Sequence, residues 1–170
     1  MNGVQALKAA IDASHAWYAG TTGGLSADVV NHLPPGTSHP IGEQIAHTLQ
    51  SEDYIIASML QGQPSIWERD GWGARTSMPN VVRQDFETAR SFKGDVAALD
   101  PYRAAVYAQT EAYFAVLSDA ELDRELDLQP PLGKTSVGGV LCMLLIGNNF
   151  AHTGEISALK GIQEQRGYPF

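Results

Sequence analysis

The spacing of apolar side chains constrains the fold of this chain more than any other feature of the sequence. In four long segments, apolar residues recur every three or four positions, which gathers their side chains on one face of an α-helix. No useful length of sequence alternates apolar and polar residues as a β-strand would, and no internal repeat is present. The sequence therefore predicts an all-α protein, and four such helices in 170 residues predict a four-helix bundle.

Glycine, proline and capping residues predict where the helices begin and end. The four predicted helices cover residues 2–19, 41–61, 100–117 and 136–165. Asp100 and Pro101 favour the start of the third helix, as a capping residue followed by a first-turn proline. The connection between the second and third helices, residues 62–98, is long and irregular, with one short helix expected near residues 82–90. A connection of this length is usually functional or packed over the core.

Length and charge limit the class of protein. The 170 residues suit one domain, expected to span residues 1–170. Eleven Lys and Arg against nineteen Asp and Glu give a net charge of −8, which argues against a nucleic-acid partner because such proteins concentrate basic residues on one face. The longest apolar run, residues 140–146, is too short to span a bilayer. With no signal-peptide pattern at the N-terminus, we expect a cytoplasmic protein with no membrane partner.

Polar side chains interrupt the apolar stripe of the fourth predicted helix. Asn148, His152 and Glu155 fall on the face that also carries apolar residues such as Leu141 and Leu159. Asn148 and His152 are four residues apart and so lie one above the other. Polar groups on a buried face must be paired or bound to a ligand. The pattern is compatible with a buried hydrogen-bond network and equally with a metal or substrate site built on facing helices.

The other candidate residues carry weaker signals. His47 lies on the second predicted helix, one turn after Glu43, but away from the apolar stripe, where a surface histidine is the common case. Three further histidines show no ligand spacing among themselves: His15, His32 and His39. The one cysteine, Cys142, excludes an intrachain disulfide and is expected to be an inert core residue. A di-iron bundle is excluded because it requires two Glu-x-x-His motifs, which are missing.

Three stretches of the sequence resemble the DinB/YfiT-like family of four-helix-bundle proteins. The first is IGEQIAH at residues 41–47, followed by SEDY at 51–54. The second is GQP at residues 62–64 with the tryptophans Trp67 and Trp72. The third and most specific is GNNFAHTGEI at residues 147–156, which runs on to LKG. Together these stretches span most of the chain in the expected order.

This resemblance implies a divalent metal ion, zinc or nickel, held by three histidines. One histidine comes from the second helix and two, spaced by four, from the fourth helix. His47 and His152 match two of these positions, whereas Asn148 stands where the family has the third histidine. An amide oxygen is a weaker ligand than imidazole for zinc or nickel, so Asn148 is a weak or lost ligand. Glu155 is expected in the second shell, or as a supplementary carboxylate.

The resemblance leaves two functions open. In the first, the protein is a thiol-dependent S-transferase or isomerase, in which the metal holds a low-molecular-weight thiol as thiolate and the segment around Trp67 and Trp72 covers the pocket. In the second, it is a metal-free, non-catalytic bundle that binds a small ligand or serves a stress response. Asn148, His152 and Glu155 then form a hydrogen-bonded network. A homodimer is expected in either case.

Overall fold

The computed structural model describes residues 1–130 and 132–170, apart from the side chain of Arg83. Its four long helices confirm the predicted all-α bundle. They are α1, Gly3–Thr22; α2, Ile41–Asp53 with a π-helical continuation, Tyr54–Leu60; α3, Asp100–Val116; and α4, formed by Val137–Gly139, a π-helical segment Val140–Gly147 and Asn148–Ile162. The π-helical turns matter for the site, because such turns change which side chains share a face.

Local side-chain chemistry explains the helix ends. Asn2 caps α1 in a capping box with Gln5, each side chain bonding the other residue's backbone N–H. Ser136 caps α4 by accepting from the backbone N–H of Gly139 at 3.1 Å. The predicted cap at Asp100 is wrong by one position: a 3-10 turn, Val96–Leu99, leads into α3, and Asp100 already lies in its first turn.

The long connection between α2 and α3 is a chain of short helices. They are Ile66–Arg69, Trp72–Thr76, the 3-10 turn Val81–Arg83, Phe86–Arg90 and Val96–Leu99. Other short helices are Ala27–Val30, before α2, and Asp119–Leu122, after α3. A two-stranded antiparallel sheet, β1 at Glu125–Asp127 and β2 at Lys134–Ser136, precedes α4 with Leu126 opposite Thr135. Strands of three residues are too short to show a readable alternation, which is why the sequence did not predict them.

Helix packing places α4 against both α1 and α2, and α2 against α3. A salt bridge of 3.0 Å between Lys8 and Glu111 also links α1 to α3. The apolar core forms two clusters. One contains Tyr18, Leu49, Val106 and Ile156, and the other contains Ile11, Ile56, Tyr113 and Leu145.

A layer of polar residues lies between these two clusters along each long helix. His15, Glu52, Thr110 and Asn149 come from α1, α2, α3 and α4 in that order, and each sits in the sequence between a residue of one cluster and a residue of the other. Glu52 is only 1% exposed, and its carboxylate accepts hydrogen bonds from Thr110 Oγ1 at 2.6 Å and Asn149 Nδ2 at 3.0 Å. We call these four residues the polar layer.

Asp53, the next residue, is fully buried and organises the connection. Its Oδ1 accepts from the backbone N–H of Ile66 and from Gln109 Nε2, and its Oδ2 accepts from the backbone N–H of Trp67 and from Tyr102 Oη. The carboxylate thereby anchors the start of a short helix to α2 and α3.

The π-helical segment of α4 overturns one expectation. Cys142 is exposed rather than in the core, and its neighbour Met143 is 71% exposed, while Leu141 and Leu145 are fully buried. Cys142 and Met143 follow Leu141 by one and two residues and so lie on the opposite side of the helix from the buried face, although they belong to the same apolar run. Among the helices of residues 1–130 and 132–170, none is long and apolar enough to cross a membrane.

Candidate functional site

A groove of about 550 Å³ lies between α2, α4 and the segments on either side of α2. Its volume is within the range of small-molecule sites. His47 of α2 and His152 of α4 meet in it, with ring centroids 4.8 Å apart and an interplanar angle of 70°. The structure thus places side by side the two histidines that the family resemblance pairs.

Hydrogen bonds hold His152 in a defined orientation. Its Nδ1 lies 2.7 Å from Gln44 Oε1 and 2.6 Å from Glu155 Oε2. Because both partners are acceptors, Nδ1 carries the proton, and the Nε2 of the neutral ring is left with a free lone pair. Glu155, whose side chain is 53% exposed, therefore lies at the edge of the groove as a partner of His152.

His47 is held in its neutral form. Burial, with smaller contributions from the nearby His152 and His39, lowers its pKa to about 4. Its Nε2 lies 3.3 Å from Ser51 Oγ, one turn further along α2. A neutral imidazole is the form that binds metal ions, so the site needs no proton release from His47 at neutral pH.

Asn148 is partly buried, and its Nδ2 is buried without a hydrogen-bond partner in the described structure. It lines a smaller cavity of about 200 Å³ together with Ser51 and Tyr54. Ser51 connects this cavity to the groove through its contact with His47. Within the residues that the structure describes, no group of three or more His, Cys, Asp and Glu side chains is arranged to hold a metal ion.

The structure adds a second pair, which the sequence reasoning missed. His39 Nδ1 lies 3.0 Å from Glu43 Oε2, and the Glu43 side chain is only 4% exposed. Burial raises the pKa of Glu43, while the adjacent His39 opposes that shift. His39 Nε2 is buried without a hydrogen-bond partner. The spacing of four between His39 and Glu43 is visible in the sequence, but His39 lies before the predicted start of the second helix and shows no ligand spacing with the other histidines.

The covering of the groove differs from expectation. Trp67 and Trp72 do not line it; they are buried against Tyr102, with ring centroids at 4.9 and 5.4 Å. The apolar wall consists of residues further along the connection and of the last turns of α4: Val81, Val82, Phe86, Ala89, Leu159 and Ile162. The tryptophans therefore hold the connection on the core, and Phe86 covers the groove.

Comparison with known proteins agrees with this fold. The model of the DinB superfamily matches residues 9–156, and the chain belongs to that superfamily. The crystal structure of a conserved protein from Enterococcus faecalis is similar over 94% of this chain and 96% of that one, with a TM-score of 0.76 and 19% sequence identity. At that identity the likeness shows the shared fold alone. No curated protein sequence matches the chain significantly.

Proposed function

We propose that this protein binds a divalent metal ion, zinc or nickel, in the groove between His47 and His152 and uses it in a thiol-dependent transfer or isomerisation. The observation that carries the proposal is the 4.8 Å edge-to-face contact between the two rings. Two imidazoles brought together from different helices can share one ion. When bound, such an ion lowers the pKa of a coordinated low-molecular-weight thiol and favours its thiolate form.

The surroundings of His152 support this assignment. Metal-binding histidines usually donate their second ring N–H to a carboxylate or a carbonyl, which fixes the ring and its tautomer. Gln44 Oε1 and Glu155 Oε2 do this for His152. We assign Gln44 to positioning His152, and Glu155 to positioning and to accepting a proton at the groove's edge.

Asn148 is the third candidate ligand. Its side-chain amide is unpaired, and rotation about its terminal bond exchanges the nitrogen for the carbonyl oxygen. An oxygen there would complete a set of two imidazoles and one amide, which binds zinc or nickel more weakly than three imidazoles.

This weak third ligand supports the second candidate function, a metal-free bundle that binds a small ligand in the same groove without catalysis. In that case Gln44, His152 and Glu155 act as a hydrogen-bonded wall. The two functions share the groove and differ in whether His47 and His152 hold an ion.

Metal analysis distinguishes these two candidate functions. We expect untagged protein to contain zinc or nickel, Asn148→His to bind it at least about tenfold more tightly, and His47→Ala to lose it. His32→Ala, which removes an exposed histidine outside the groove, is the matched control and should retain the metal. Mass spectrometry of the purified protein and competition with a chelator give the stoichiometry and the affinity. If neither the natural protein nor Asn148→His binds metal near one equivalent, the metal proposal fails and the metal-free function is favoured.

A further inference from the structure

The end of the groove formed by His39 and Glu43 is built from hydrogen-bond acceptors. His39 Nδ1 faces the Glu43 carboxylate and its Nε2 is buried, so the acceptor that this end offers to a ligand is the carboxylate of Glu43. Glu43 Oε2 lies within 3.0 Å of His39, and Glu155 adds a second carboxylate at the rim. A group entering here must therefore donate hydrogen bonds.

The charge of the groove also selects among ligands. Its described lining contains the two carboxylates and three histidines, and no lysine or arginine. The guanidinium of the nearby Arg90 is engaged with the backbone carbonyls of Pro34 and Ser38. An anionic ligand would meet two carboxylates, while the Arg90 guanidinium already donates to two backbone carbonyls, whereas a cationic ligand would be attracted.

Phe86 supplies a third element of recognition. Its ring centroid is 4.9 Å from that of His39, and the residue is 48% exposed. An aromatic face beside carboxylates is a favourable place for an ammonium group. The apolar side chains of Leu159 and Ile162 extend the groove away from this polar end.

We propose that the groove recognises a small molecule with a primary ammonium group and an apolar arm. The ammonium group donates to Glu43 and lies against the ring of Phe86, and the apolar arm lies along Leu159 and Ile162. This recognition goes beyond the metal site proposed at His47 and His152, because it uses other side chains and does not require the ion.

Three probes with the same phenyl arm test the proposal: 2-phenylethylammonium, 2-phenylethanol and 3-phenylpropionate. Binding is measured by calorimetric titration at neutral pH on the full chain in excess chelator, so that a bound metal contributes no charge. We expect the ammonium probe to bind about tenfold more tightly than the alcohol, and the carboxylate most weakly. Equal affinities, a preference for the carboxylate, or no binding of the ammonium probe would overturn the proposal.

Substitutions in the groove test which side chains recognise the ammonium group. Glu43→Gln keeps the shape of the side chain and should remove the preference for the ammonium probe over the alcohol. Glu111→Gln, the same change of charge on α3 beside Lys8, should leave it intact. Phe86→Leu, at a half-exposed position, tests the site if Glu43→Gln does not fold, and it should reduce the preference severalfold. A preference that survives in every folded groove variant would contradict the proposal. The metal analysis of His47→Ala is independent of this result.

Discussion

The polar layer inside the bundle and the groove on its flank are built from similar side chains, yet they differ in how far these are paired. In the layer, both oxygens of Glu52 lie 3.0 Å from His15 Nε2, and they also accept from Thr110 and Asn149. In the groove, His39 Nε2 has no partner.

That difference separates a structural role from a binding role. A buried polar network that is nearly complete holds helices in one register, since any shift leaves charged groups unpaired. Among the buried side-chain nitrogen and oxygen atoms of the layer, only Asn149 Oδ1 lacks a partner in the described residues. Unpaired polar atoms that line a cavity instead leave capacity for a ligand. The layer therefore holds α1 to α4 in register, and this arrangement positions the side chains that line the groove.

Substitutions at two neighbouring asparagines on α4 test this comparison, and they are expected to give the largest difference in the free energy of unfolding. Asn149→Asp replaces the donor to Glu52 by a second carboxylate at a position only 2% exposed, so we expect a loss of about 3–5 kcal/mol in the free energy of unfolding. Asn148→Asp, the same change at the smaller cavity beside the groove, should cost less, because Asn148 is only partly buried and donates to no carboxylate. Urea unfolding near pH 7 measures both. Equal losses would show that the two regions do not differ as described.

Substitution of Asp53, next to the layer, is expected to reduce the free energy of unfolding by a smaller amount. All four of its partners are donors, namely two backbone N–H groups, the Tyr102 hydroxyl and the Gln109 amide. Asp53→Asn keeps the shape but turns one acceptor into a donor, which faces other donors, so a loss of about 2–4 kcal/mol is expected. Urea unfolding measures it, with Asp12→Asn on the exposed face of α1 as the control. A loss below about 1 kcal/mol would argue against this anchoring role.

The smallest effect is a pH dependence of stability that arises in the groove. The pKa of His47 is about 4 in the folded chain, below its ordinary 6.5, so between these values the unfolded chain binds a proton that the folded chain does not. Stability should therefore fall as the pH drops from 6.5 to 4, by roughly 2 kcal/mol after allowance for solvent screening of this partly exposed ring. His152, His39 and Glu155 face the ring and contribute to its shift.

Denaturation curves in chelator between pH 4 and 7 measure this slope. His47→Gln should flatten it, whereas His32→Gln, at an exposed position, should leave it unchanged. An unchanged slope in His47→Gln would mean that the histidine is not held neutral by its surroundings.

Much of the fold was predictable, because amphipathic periodicity and capping residues are local signals. The four helices and the proline in the first turn of α3 were readable in this way, and the superfamily was identified from its resemblance in sequence. The face of α4 was only partly predictable. Its π-helical segment shifts the buried face, so that Asn149, rather than Asn148, is the buried asparagine, and Cys142 is exposed although it lies in an apolar run.

The site was less predictable than the fold, because it joins residues far apart in the chain. His39 gave no signal as a ligand in the sequence because it precedes α2, and only the structure shows its Nδ1 3.0 Å from Glu43 Oε2. Phe86 lies in a connection whose path depends on Asp53, Trp67 and Trp72 being buried together.

By itself, the sequence determined the helical class, the superfamily motifs and the absence of a histidine at position 148. These depend on residue type and on spacing along one helix. Only the tertiary structure decided that Glu52 lies in a polar layer, that His39 and Phe86 belong to the groove, and that the tryptophans do not cover it. Such placements depend on how separate helices pack and on which buried polar groups find partners, and neither is encoded by spacing within one segment.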